Sequence, residues 1–411
     1  MQPTIQQSND QVNELIPRYR DQGYSYEDVA RRRAWLEQRT GAALNCVGAF
    51  GIDSLSMRGN VENPIGAAQI PIGVAGPLLV NGEYASGVYY VPLATTEGAL
   101  VRSYERGSRA ITRAGGAVTR VVRDSNRASP VFAFASVQLA HEFAIGLKQH
   151  FSQLKAIAES TTSHGRLLKI ELHHLGRDVV VDFDYFTGDA HGMNMISKAT
   201  EAACKWIVAQ FDVARYYVLS GGSAEKRAAA SVFHGGKGKH ATAGVLLEES
   251  VVKSHLHTTP QKLQHVWQRT LIAQIQAGAA GYNGHYANGL TALFIACGQD
   301  VANVANGAVG FTNFDVTDDG SLFATVTLPS LTVGTVGGGT GLGTGRECLN
   351  ILGCAGAGKA LKFAEIASAT VLAGELSFAA ALASGGFVKA HEQYGRNRPG
   401  GDLGTVPARP S

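Results

Sequence analysis

One tract constrains the fold of this 411-residue chain more than any other. Residues 366–388 are apolar for long enough to span a bilayer, yet Glu375 interrupts them. The filler is Ala, Gly and Ser, so the tract reads as a tightly packed buried helix and not as a membrane span. A helix of that length needs a large core around it. Hydrophobic residues at 45% and charged residues at 17% supply one and exclude a disordered protein. The length allows two or three domains. A formal net charge of +3 gives no case for nucleic acid. Met1–Asp10 is polar and lacks the apolar segment of a secretory signal. Five cysteines (Cys46, Cys204, Cys297, Cys348, Cys354) are odd in number and lack metal-ligand spacing, so reduced cytosolic thiols and no bound metal are expected.

Along the chain, residues 1–61 read as a small N-terminal helical domain in which residues 26–33 are a charged helix. A Gly/Pro-punctuated region follows (Glu62-Asn63-Pro64-Ile65-Gly66, then residues 71–78). Alternating segments at 78–80 and 87–92 flank Asn81-Gly82, a hairpin signal. From 130 to 219 the pattern becomes βαβ-like, with strands at 131–136, 167–173, 179–184 and 214–219 and helices at 137–158 and 193–212. This unit reads as an insertion. Helices at 261–278, 288–297 and 360–391 and a strand at 321–333 belong to the surrounding domain. The Pro/Gly/Arg-rich residues 396–411 form a tail.

The stretch 91–98 runs into a helical pattern at 99–115. Thr95 or Thr96 can cap that helix, and Glu97 then falls in the first turn, where the helix dipole favours a carboxylate. Arg102, Arg106, Arg109 and Arg113 make a stripe on one face. On its own, this is an ordinary amphipathic helix with a solvated basic side. In Gly188–Met195, glycines ahead of a helix could turn backbone N–H groups toward a phosphate. That run is not a Rossmann fingerprint. Lys226 in a small-residue loop, Asp300 at the end of an apolar segment and His391 at a helix end each have an ordinary surface role when taken singly.

Taken together and in order, the blocks at 62–66, 71–78, 94–98, 188–195, 298–300 and 334–340 resemble the signature blocks of 3-hydroxy-3-methylglutaryl-coenzyme A reductases. The similarity spans roughly residues 60–395 and looks closest to the class I form without a membrane anchor. The resemblance implies an α+β fold: a large helix-rich domain around a long central helix (62–129 and 220–395), an inserted ferredoxin-like α+β cofactor domain (130–219) and the N-terminal helical domain. It implies a cytoplasmic homodimer or tetramer with active sites at the subunit interface. The reaction would be NADPH-dependent reduction of 3-hydroxy-3-methylglutaryl-CoA to mevalonate and coenzyme A, with NADH left open.

The family's catalytic positions fall on Glu97 (proton donor to the aldehyde), Lys226 (oxyanion stabiliser), Asp300 (bonded between those two) and His391 (proton donor to the departing thiolate). Cofactor positions fall on Ser163, His164, Arg166, Asp189, Gly192, Met193, Asn194 and Met195. Substrate and CoA positions fall on Ser103, Arg106, Arg109, Arg127, Ser220, Arg227, His285 and Asn288. His191 stands where the family usually has Met and reads as a packing substitution. Two departures bear on the acyl group. The family's carboxylate-binding Arg arrives one position early, as Arg127, and a family Lys aligns with Gln268. Reduction of a different acyl thioester is therefore the alternative function, and a catalytically dead nucleotide- or CoA-binding regulator is a further one. A helix N-terminus would also lower the pKa of Glu97, against the need of a general acid.

Overall fold

In the computed structural model, which describes residues 15–19 and 23–385, the chain enters through α1 (Tyr26–Thr40). Ser25 caps this helix by accepting the Asp28 N–H, and Gly41 ends it at φ 71°. Arg32 is buried and donates to the carbonyls of Pro17, Gly23 and Pro64, while Arg33 donates to Ile65. The N-terminal helix therefore holds the 62–66 block by its backbone.

The hairpin of β1 (Ile72–Gly82) and β2 (Ser86–Ala94) is longer than expected, and Asn81-Gly82 is not its turn. Asn81 still pairs with Ser86, and the chain reverses at 83–85. The cause is the buried Glu365 carboxylate, which accepts the N–H groups of Glu83, Tyr84 and Ala85.

Next comes α2 (Leu100–Arg113), whose start departs from the sequence reading. Ala99 is the N-cap at φ 68°, with no side-chain cap. The Thr95 hydroxyl instead accepts the Glu97 N–H at 2.9 Å, inside a turn that follows β2. Glu97 thus precedes the helix and lies outside its first turn.

A strand with no counterpart in the sequence reading, β3 (Ala117–Ala128), joins the two parts of the protein. Its residues 117–119 pair with β1, residues 118–125 with residues 238–244, and residues 126–128 with residues 183–185. The inserted unit is β4 (Val131–Ala133), α3 (Val137–Gln149), α4 (Phe151–Glu159), β5 (Arg166–Leu175), β6 (Asp178–Phe186), α5 (Met193–Gln210) and β7 (Arg215–Tyr217). The expected single helix at 137–158 is broken at His150. Strand order β7-β4-β6-β5 with antiparallel pairing is the ferredoxin-like βαββαβ arrangement. The chain then returns through β8 (Gly238–Leu247), α6 (Pro260–Gln276), α7 (Tyr286–Ala296), β9 (Phe311–Val316), β10 (Leu322–Leu331), α8 (Gly343–Ile351) and α9 (Ala360–Ala383). Among the described residues one ten-stranded sheet results.

Among the described residues two large hydrophobic cores lie on this sheet, beside a small cluster of Ala224, Val232 and Val309. One gathers α2, α7 and α9 against β1, β2, β8 and β10, and the other packs α3, α4 and α5 on the inserted strands. The fold is α+β with α9 at its centre. Nearly every residue of α9 is buried, as its small-residue composition implied. Gly107 of α2 crosses it so closely that a Cβ would strike the Ala373 carbonyl. Glu375 is satisfied in the core by the N–H groups of Gly284 and His285 and by the Thr312 hydroxyl. His391 and the tail at 396–411 lie outside the described residues.

Candidate active site

A cleft of about 1020 Å³ opens between the inserted unit and the main core. Its walls include the first turn of α5, the Glu225–Lys226 turn, Asp300 and the glycine loop at 337–339. Lys226 occupies left-handed backbone at φ 55°, as does Ala224 at φ 57°. Non-glycine residues hold such angles only where their surroundings impose them. At Lys226 the surroundings include Asn306. Its buried side chain accepts the Lys226 N–H at 3.2 Å and donates to Ser330 and Thr332 behind it.

The strained turn delivers Lys226 Nζ to 2.8 Å from Asp300 Oδ2. Asp300 is fixed in turn by accepting the Ala302 N–H and by the tight approach of Gly298 to Gly339. The hydrogen bond and charge of Asp300 raise the Lys226 pKa above its ordinary value against a smaller effect of burial. The pair is therefore an ammonium facing a carboxylate, open to the cleft.

Behind it lies a second charged pair that motif reasoning missed. Lys237 is 1% exposed and forms an ion pair with Glu225, and His191 Nε2 is 3.7 Å from the other Glu225 oxygen. Burial works to raise the Glu225 carboxyl, but His191 and Lys237 beside it hold it at about 2. Burial lowers the Lys237 pKa despite Glu225. Donor atoms of His191, Glu225 and Asp300 come within 4.8 Å of one another, close enough to suggest a metal site. Lys226 and Lys237 already balance the two carboxylates, so the cluster is neutral without a cation. The one sequence signal was the charged triplet Glu225-Lys226-Arg227 in a run of small residues.

Glu97 sits in an adjoining hollow of about 400 Å³ that shares Ile70, Ala94 and Ile295 with the main cleft. Its carboxylate accepts from Asn288 Nδ2 at 2.8 Å. Asp300 bonds Lys226 as expected, but Glu97 is paired with Asn288 and not with Asp300. Nearby, His285 stacks on Phe378, and its Nδ1 is 3.1 Å from the Tyr104 hydroxyl. Burial lowers the His285 pKa, and Glu97 opposes this.

The remaining candidates divide. Gly192 caps α5 at φ 81°, and Met193, Asn194 and Met195 line the cleft. Thr162 bonds Met195 and brings the loop of Ser163 and His164 beside that first turn, with Arg166 over the Phe186 ring. Asp189 faces away. It accepts N–H groups from Gly358, Lys359 and Ala360 at the start of α9, which hold its pKa low although burial would raise it. Ser103 and Arg106 bond Ser377 on α9, whereas Arg109 is exposed.

Arg127 is held bidentately by Asp184, at 2.6 and 2.9 Å, and by Asp182 at 2.7 Å. Ser220 donates to the Ser129 carbonyl, and Arg227 is exposed, donating to the Glu225 carbonyl. Gln268 lies exposed on α6.

A family model described as hydroxymethylglutaryl-coenzyme A reductase matches residues 28–396. The chain belongs to the hydroxymethylglutaryl-coenzyme A reductase family. It is 44% identical over 373 residues to the 3-hydroxy-3-methylglutaryl-coenzyme A reductase of Methanocaldococcus jannaschii, covering 89% of this chain and 92% of that one. The corresponding protein of Methanothermobacter thermautotrophicus is 45% identical over 374 residues, covering 90% and 94%. The fold matches the class II reductase of Streptococcus pneumoniae bound to NADPH, with a TM-score of 0.67, 21% identity and 86% of each chain covered. As a member of this reductase family the protein is an oxidoreductase.

Proposed function

We propose that the protein reduces 3-hydroxy-3-methylglutaryl-CoA to mevalonate and free coenzyme A, drawing two hydrides from NADPH. The observation that carries this reading is the Lys226–Asp300 pair, an ammonium presented on strained backbone to a cleft large enough for a dinucleotide. The cleft also fits the cofactor in kind. It has a glycine-capped helix N-terminus at Gly192 to face an anion, with Ser163, His164 and Arg166 nearby for a 2′-phosphate. When bound, NADPH supplies the hydrides.

The chain's own residues handle the charge and the protons. Lys226 stabilises the oxyanion that develops at the thioester carbonyl as the first hydride arrives. Collapse of the hemithioacetal breaks the C–S bond, and His391 gives the leaving thiolate its proton. Glu97 would protonate the oxygen of the aldehyde as that carbonyl is reduced. Because Glu97 lies before α2, the helix dipole acts on it less than it would in the first turn. Ser103, Arg106 and Arg109 would meet the CoA phosphates, with Ser220, Arg227, His285 and Asn288 on the acyl side. From the family resemblance we take the assembly to be a homodimer or tetramer with active sites between subunits. We take residues 130–219 as the cofactor domain of a cytoplasmic enzyme.

The locked Arg127 favours a second reading, in which the same mechanism acts on a different acyl thioester. Steady-state kinetics with 3-hydroxy-3-methylglutaryl-CoA and with acyl-CoAs lacking the distal carboxylate decides between the two. A strong preference for the former, with two NADPH oxidised per coenzyme A released, is expected. Equal turnover of the truncated thioesters would overturn the first reading.

A further inference from the structure

We propose that His191 is a positioning residue whose imidazole couples the cofactor loop at the start of α5 to the turn that carries Lys226, a role that rests on the NADPH reading above. Its backbone is clamped, because Asn126 Nδ2 donates to the His191 carbonyl at 2.6 Å. Its Nε2 is shut off from solvent without a hydrogen-bond partner and lies 3.7 Å from Glu225 Oε1. An apolar side chain would fill this space with no orphaned nitrogen, so a packing role alone does not account for an imidazole. A closure of under about 1 Å would turn the contact into a charge-assisted hydrogen bond. Glu225 is the residue before Lys226, so any such movement is felt at the catalytic ammonium.

Glu225 and Asp300 lie within 4.8 Å of the ring, and each is paired with an ammonium, Lys237 and Lys226, so the charged groups around it are two carboxylates and two ammoniums. Asp189 of the same loop is committed to the start of α9. Protonating His191 therefore takes the cluster from neutral to a net positive charge. A polyanionic dinucleotide in the adjoining cleft favours that state, and by linkage the protonated state favours the dinucleotide.

The test is the dissociation constant of NADPH across about pH 6 to about pH 8, read from binding and not from turnover, for wild type, His191→Met, His191→Gln and Glu225→Gln. Wild type is expected to bind about fivefold more tightly at the acid end than either His191 variant's own pH trend accounts for. Glu225→Gln should weaken that difference. Any phosphate titration or His164 contribution is common to all four proteins. If His191→Met binds NADPH with the wild-type pH dependence, the coupling is refuted while the reductase reading stands. If wild type binds no NADPH at any pH, both fall.

Discussion

Lys226 Nζ stands 2.8 Å from Asp300 Oδ2, and the two reach each other from separate turns that the core holds rigid. Lys226 comes from left-handed backbone pinned by Asn306. Asp300 caps its own short turn beside the glycine loop. An ammonium so placed stays charged into the alkaline range, which is what stabilisation of an oxyanion requires.

Replacing Asp300 by Asn removes the partner that raises the Lys226 pKa. Lys226 then loses its proton at lower pH, and the alkaline limb of the kcat profile moves toward neutrality. Lys226→Ala should lower kcat by about 10²–10³-fold. A pH–rate profile of the two variants checks both statements.

Acid should destabilise the protein through Glu225. Its carboxyl is held at about 2 in the folded chain, against an ordinary value of 4.5. The ionised form therefore favours folding. This contribution is whole above about pH 4.5 and is lost as pH falls toward about 2, at most about 3 kcal/mol. Urea midpoints measured down this range should fall for wild type and fall less for Glu225→Gln.

Lys237→Ala leaves Glu225 buried without its ammonium and should destabilise the fold by about 3–5 kcal/mol. A double variant in which both residues become apolar should recover most of that loss. Equilibrium denaturation of the single and double variants measures the difference.

Gly107→Ala places a methyl group against the Ala373 carbonyl where α2 crosses α9. Neither backbone can yield easily, so a loss of about 1–3 kcal/mol is expected. Thermal unfolding reads it, and an unchanged midpoint would mean that the crossing is looser than described.

Much of this was legible in the chain. The burial of α9 followed from its run of small residues around Glu375, and the inserted βαββαβ unit followed from alternating hydrophobicity. Motif order led to the expectation that Lys226 and Asp300 meet, and their side chains do. Strand β3 was missed because its early buried positions are only Ala117 and Thr119 while Val118 and Val122 are exposed beside Arg120, so no apolar–polar alternation shows. The start of α2 was misread because a threonine hydroxyl caps a turn as readily as a helix. The Glu225–Lys237 pair joins residues on two loops, and the capture of Arg127 by Asp182 and Asp184 is made across the β3–β6 pairing. No local pattern encodes contacts of that kind.

The most direct test is coupled turnover by the purified protein: NADPH oxidation, coenzyme A release and mevalonate formation, followed together with 3-hydroxy-3-methylglutaryl-CoA as substrate. The account predicts thioester-dependent oxidation of two NADPH for each mevalonate and coenzyme A formed, slowed about 10²–10³-fold by Lys226→Ala. Binding of both ligands without turnover, or undiminished turnover in Lys226→Ala, would contradict it.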